Sequence, residues 1–138
     1  MSLLKPNAKT PFHIDFEWWQ QNERDWHIFL RSFLCTEHQE AYASMEEGSL
    51  VDWIDPQTAE VKQVDGIQHV LITHCAQLPD FVNPRTAVVE AIFRTFLANG
   101  NSPLSAEDLG AKLGKPADTI LRTIAGARVY RGLRPILS

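Results

Sequence analysis

The first stretch of alternating polarity is near the N-terminus, where Phe12, Ile14, Phe16 and Trp18 interleave with His13, Asp15, Glu17 and Trp19. A period of two predicts a half-buried strand. The period then changes. Trp26, Phe29, Leu30 and Phe33 recur at helical spacing behind Asn22 and Asp25, residues that cap helix starts, which predicts a helix over about 23–34. Thr36 followed by Gln39 has the form of a capping box and opens a shorter helix, 37–45, before the turn-forming Gly48. Leu50, Val51, Trp53 and Ile54, then Asp55-Pro56, then Val61 and Val64, predict two strands joined by a short turn. With the strand near Phe12 they would form one small antiparallel sheet. Asp65-Gly66 starts a helix carrying Ile67, Val70, Leu71 and Ile72 as far as about Gln77.

The segment LPDFVNP, with prolines at 79 and 84, breaks this pattern. Beyond it, Val88, Val89, Ile92, Phe93, Phe96 and Leu97 keep to one helical face between Arg85 and Asn99, and Gly100 supplies a C-terminal stop. Ser105 with Asp108 caps a following helix that Gly114 ends, and Pro116 fits the first turn of a third. The expected fold is therefore α+β. An N-terminal part, 1–83, holds a small sheet and about three helices, and a C-terminal part, 84–138, holds three helices.

Composition changes this picture little, whereas charge divides it. Hydrophobic residues are 44% and charged residues 22% of the 138, a globular balance long enough to form a core without staples. Residues 1–84 carry 5 Lys/Arg against 13 Asp/Glu, a net of −8; residues 85–138 carry 8 against 4, a net of +4. A basic back half suits phosphate contact; equally, it suits an internal or intermolecular partner of opposite sign. No apolar run has the length of a membrane span or a secretory leader, and only two cysteines occur, so a soluble cytoplasmic protein without disulfides is expected.

The segment AEDLGAKLGKPADTILRTI resembles the helix-turn-helix of bacterial winged-helix regulators. Leu109 and the small Gly110 stand where two helices cross closely, Leu113 and Gly114 make the turn, and Ile120 and Ile124 pack the second helix back. The likeness extends to about 50 residues if the Arg85–Asn99 helix precedes it and GARVYRGLRPIL follows as a strand-like or wing-like tail. It implies that Ala117, Asp118, Thr119, Arg122 and Thr123 form the exposed face that meets DNA, and that such a protein works as a dimer. Arg128, Arg131 and Arg134 on the tail would grip phosphate. The alternative is a scaffold or protein-interaction role, with these arginines paired to carboxylates of the acidic half such as Glu46, Glu47 or Asp52.

Cys35 and His38 have the i, i+3 spacing of a metal-binding pair, and His74-Cys75 offers two more ligands, together enough for a structural zinc held by two cysteines and two histidines, with Cys35, His38 and Cys75 as its candidate core. A helix through 77 would separate His74 from Cys75 by about 100° and prevent both from reaching one ion. Buried cysteine and histidine packing is the competing reading. Either cysteine with His38, His69 or His74 would be needed for nucleophilic catalysis, but no spacing selects a pair and no phosphate loop is present, so an enzyme is not expected. The tryptophans at 18, 19, 26 and 53, among several phenylalanines, are read as an aromatic core rather than a ligand pocket.

Overall fold

A computed structural model describes residues 5–41, 50–54, 57–83, 85–126, 129 and 131–136. Its elements run β1 (Phe12–Ile14), α1 (Phe16–Asn22), α2 (Trp26–Arg31), α3 (Thr36–Ala41), β2 (Leu50–Ile54), β3 (Val61–Asp65), α4 (Gly66–Thr73), a 3-10 turn (Cys75–Gln77), α5 (Val88–Ala98), α6 (Ala106–Leu113), α7 (Ala117–Ile124) and β4 (Leu133–Pro135). The α+β class is as expected. Several boundaries are not.

The alternating run that opens at Phe12 ends after three residues, because the Asp15 carboxylate accepts a hydrogen bond from the Trp18 N–H at 3.0 Å and starts α1 there. A satisfied N-cap outweighs the period-two pattern of side chains beyond it. Strand β1 also does not join the β2–β3 hairpin, which forms its own antiparallel pair from Leu50↔Asp65 to Ile54↔Val61. It pairs instead with β4, His13 opposite Arg134 and Ile14 opposite Leu133. On its other edge Phe12 exchanges both backbone hydrogen bonds with Leu104. The Asn101 side chain, on a backbone at φ +62°, continues that edge by donating to the Ile14 carbonyl and accepting from the Ile14 N–H, both at 2.8 Å. A strand from the start of the chain is thus held between two segments from its end.

The 23–34 helix shrinks to α2, with Phe33 and Leu34 buried in the turn that follows. The third helix covers Thr36–Ala41, and the rest of its expected span, to Met45, lies outside the described residues. The helix expected to reach Gln77 stops at Thr73. His74 takes φ −125° and ψ −65°, and the chain continues as the 3-10 turn. The C-terminal helices lie as the pattern predicts. Ser105 and Asp108 form both bonds of a capping box, and Gly114 closes α6 at φ +67°.

Trp19, fully buried, packs edge-on against Trp26, Phe29 and Phe93, with centroids 5.5 to 5.9 Å apart. One continuous cluster extends from it through Ile67 and Leu71 of α4 to Ile92, Phe96, Leu109 and Ile120. Each of these buried side chains contributes about 1.5–3 kcal/mol by leaving water, and they are drawn from both sides of the charge boundary. His27, 3% exposed, meets the Asp65 carboxylate at 3.2 Å, and the same carboxylate caps α4 through the Gln68 N–H. Among the described residues no helix is long and apolar enough to cross a membrane.

Candidate functional site

Helices α5, α6 and α7 pack on one another, and the α6–α7 turn is tight because Gly110 has no side chain. A Cβ there would stand 2.6 Å from the Lys115 carbonyl, and the Lys115 N–H donates to the Gly110 carbonyl at 3.0 Å. The outward face of α7 carries exposed Asp118 and Arg122, with Thr119 and Thr123 half-buried. The Thr123 hydroxyl donates to the Thr119 carbonyl at 2.8 Å, and the Arg122 Nε donates to the Asp118 carbonyl at 3.4 Å. Lys112 and Lys115 are exposed on the preceding helix and turn.

Arg131 and Arg134 reach residues of the N-terminal half. The Arg131 guanidinium lies 3.7 Å from the centroid of the Phe29 ring and reaches Glu23 at 3.5 Å. Glu23 is already in use, since its carboxylate accepts the indole N–H of buried Trp19 at 3.0 Å. Arg134 pairs with the Asp15 carboxylate at 3.1 Å and lies over the Trp18 ring at 5.5 Å. A guanidinium stacked on an aromatic ring keeps its edge free to bond a carboxylate, which suits arginine where lysine would not serve. The carboxylates proposed from charge alone were different ones: Asp52 is exposed on the hairpin, and Glu46, Glu47 and Arg128 lie outside the described residues.

The cysteines and histidines make a second cluster. Cys35 precedes α3 and His38 sits on its first turn, with Cys35 Sγ 3.1 Å from His38 Nδ1. From the far side the 3-10 turn brings Cys75 Sγ to 3.4 Å from Cys35 Sγ and 3.6 Å from His38 Nδ1. Cys35, His38 and Cys75 thus lie within hydrogen-bonding distance of one another. His74 joins them, its ring centroid 4.4 Å from that of His38 and a donor atom within 4.8 Å of those of Cys35 and His38. Because α4 ends at Thr73, the separation that an unbroken helix would impose on His74 and Cys75 does not apply. Cys75 is buried, Cys35 and His38 are half-buried and His74 is exposed. Burial, with Cys35 alongside, pushes the Cys75 thiol up to about 11.

A cleft of about 460 Å³ opens beside the two sulfurs, with Arg94 on its wall. That guanidinium is sandwiched between Phe33 and Phe81 at 4.7 and 4.8 Å and donates to the Phe81 carbonyl. On the β2–β3 hairpin, Leu50, Ile54 and Val61 are about 60% exposed, Ile54 directly opposite Val61. No protein-family model, curated protein or solved structure matches the chain.

Proposed function

We propose that the chain is a protein-interaction module whose helix-turn-helix-like C-terminal part serves as a scaffold packed on the N-terminal part. The observation that carries this reading is the engagement of Arg131 and Arg134 by Glu23 with Phe29 and by Asp15 with Trp18. A guanidinium bonded to a carboxylate and stacked on a ring has part of its charge and donor set engaged within the chain, which weakens what it offers a phosphate. The opposite charges of the two halves are then partly spent on each other. The apolar tip of the hairpin, Ile54 beside Val61, gives such a module a contact for another protein chain, a second copy included.

A second reading, a DNA-binding protein, rests on a different observation: Arg122 is exposed on α7, with Lys112 and Lys115 exposed before it. The two readings part in one experiment. Binding to random-sequence duplex DNA is followed at two salt concentrations for the wild type and for the chain with Arg128, Arg131 and Arg134 all changed to Ala. The interaction reading expects no salt-sensitive binding in either. Binding that weakens with salt by a log–log slope of about −0.9 per phosphate contact overturns it; binding that survives in the triple variant assigns the contact to α7, and binding that vanishes there assigns it to the tail. Light scattering supplies the complementary measurement, with Ile54→Glu expected to dissociate any self-assembly made through the hairpin.

A further inference from the structure

Helix α3 poses a problem of stability. Its described residues, Thr36–Ala41, include none that is buried, and a short helix gains its stability in water from tertiary contacts. What joins it to α4 and the 3-10 turn is the meeting of Cys35 and His38 with His74 and Cys75. We propose that these four residues form a structural zinc site that clips α3 to the end of α4.

The geometry supports a tetrahedral ion. With Zn–S of about 2.3 Å and Zn–N of about 2.0 Å, tetrahedral ligands stand about 3.8 Å apart for two sulfurs and about 3.6 Å apart for sulfur and nitrogen. The corresponding separations are 3.4 Å for Cys35–Cys75, 3.6 Å for Cys75–His38 and 3.1 Å for Cys35–His38. Movements of up to about half an ångström would set these three ligands around an ion, and His74, whose donor atom lies within 4.8 Å of those of Cys35 and His38, would close in by rotation of its exposed side chain. The ligands come as two pairs from segments distant in sequence, Cys35 with His38 one helical turn apart and His74 with Cys75 at a helix end, so the ion cross-links the chain as structural zincs do. Two sulfurs and two imidazoles complete a four-coordinate shell, which leaves no position for water or substrate and assigns the ion a structural role rather than a catalytic one. On binding, each cysteine gives up its thiol proton to solvent, each histidine coordinates as neutral imidazole through a ring lone pair, and two thiolates balance the charge of Zn²⁺. No electron is transferred.

The site is independent of how α5–α7 is used, and its test is metal-specific. Protein purified without chelator under reducing conditions is expected to carry one zinc per chain by elemental analysis. After zinc is removed, Co²⁺ should give the visible absorption of a tetrahedral ion together with a sulfur-to-metal charge-transfer band. Cys35→Ser is expected to abolish that band's full intensity. His74→Asn, at an exposed position that leaves the core intact, is expected to weaken cobalt binding by more than the roughly 10–100-fold that loss of a group outside the ligand set costs. Chelation should lower the unfolding midpoint of the wild type and leave that of Cys35→Ser unmoved. A wild type that binds neither metal while its circular dichroism is that of a folded protein overturns the site. So does a chain two hydrogens lighter by mass, its sulfurs joined by an oxidant, that stays so in a reducing buffer. If His74→Asn binds cobalt as tightly and with the same spectrum, the four-ligand assignment fails.

Discussion

If the Arg131 latch holds the C-terminal tail on the N-terminal half, Arg131→Ala must destabilise the protein, and by an amount the contacts set. The stacking of the guanidinium on Phe29 at 3.7 Å contributes about 1–2 kcal/mol. The ion pair with Glu23 at 3.5 Å joins two side chains each about one-third exposed, so it adds only about 0.5 kcal/mol. Together these predict a loss of about 1.5–2.5 kcal/mol, or a fall in melting temperature of about 5–10 °C for a chain of this size. The backbone supplies an internal control. Arg131 has φ +46°, a conformation that costs a side-chain-bearing residue about 1 kcal/mol and glycine almost nothing. Arg131→Gly therefore removes the same contacts but recovers about 1 kcal/mol, and should melt between Arg131→Ala and the wild type.

The assay is thermal and denaturant unfolding of the three proteins, with duplex DNA titrated against each. A Glu23→Gln, Arg131→Ala double-mutant cycle isolates the ion pair from the stacking term. The latch is refuted if Arg131→Ala melts within about 1 °C of the wild type. If that variant also loses a salt-sensitive affinity for DNA, Arg131 is a phosphate ligand and the interaction reading of the whole chain goes with it.

Two further substitutions probe the α5–α7 unit. Gly110→Ala places a Cβ 2.6 Å from the Lys115 carbonyl, where backbone cannot easily yield, and should cost about 1–3 kcal/mol in denaturant unfolding. No change would mean the α6–α7 turn is looser than described. Ser105→Ala removes the cap of α6 and should cost about 1 kcal/mol at neutral pH. Hydrogen bonds from the Ser105 backbone and hydroxyl hold the Asp108 carboxyl below its ordinary value of 3.8. A lowered folded-state pKa adds stability above the unfolded value that disappears as pH falls through the folded one. The difference between wild type and Asp108→Asn should therefore be flat above about pH 5 and shrink below about pH 4; a difference that persisted below that range would exclude ionisation of Asp108 as its source.

What could be read before the structure follows how locally each feature is determined. Ser105, Asp108 and Gly114 specify α6 through bonds spanning three or four residues, and their spacing displays that directly. Cys35 with His38 was legible for the same reason. That His74 and Cys75 can face the same side is not legible, because no glycine or proline marks the end of α4 at Thr73; the His74 backbone, at φ −125°, is what turns its ring toward His38. The Asp15 cap was hidden by the alternation around it, since side-chain polarity does not say which backbone N–H a carboxylate will find.

The partners of the tail arginines illustrate the remaining gap. Net charge by halves predicts attraction between the two parts of the chain, but the particular carboxylates follow from the pairing of β1 with β4, segments about 120 residues apart in sequence. That register sets Arg134 opposite His13, two residues from Asp15, and brings Gly132 against Trp19, where a Cβ would stand 3.0 Å from the indole side chain. Arg131, beside that glycine, then lands over Phe29 and reaches the same Glu23 that holds the Trp19 indole. The basic tail and the aromatic core are therefore parts of one arrangement. A tail released to hold a phosphate backbone would have to give up its ring contacts, its ion pairs and, with β4, the outer strand that covers β1.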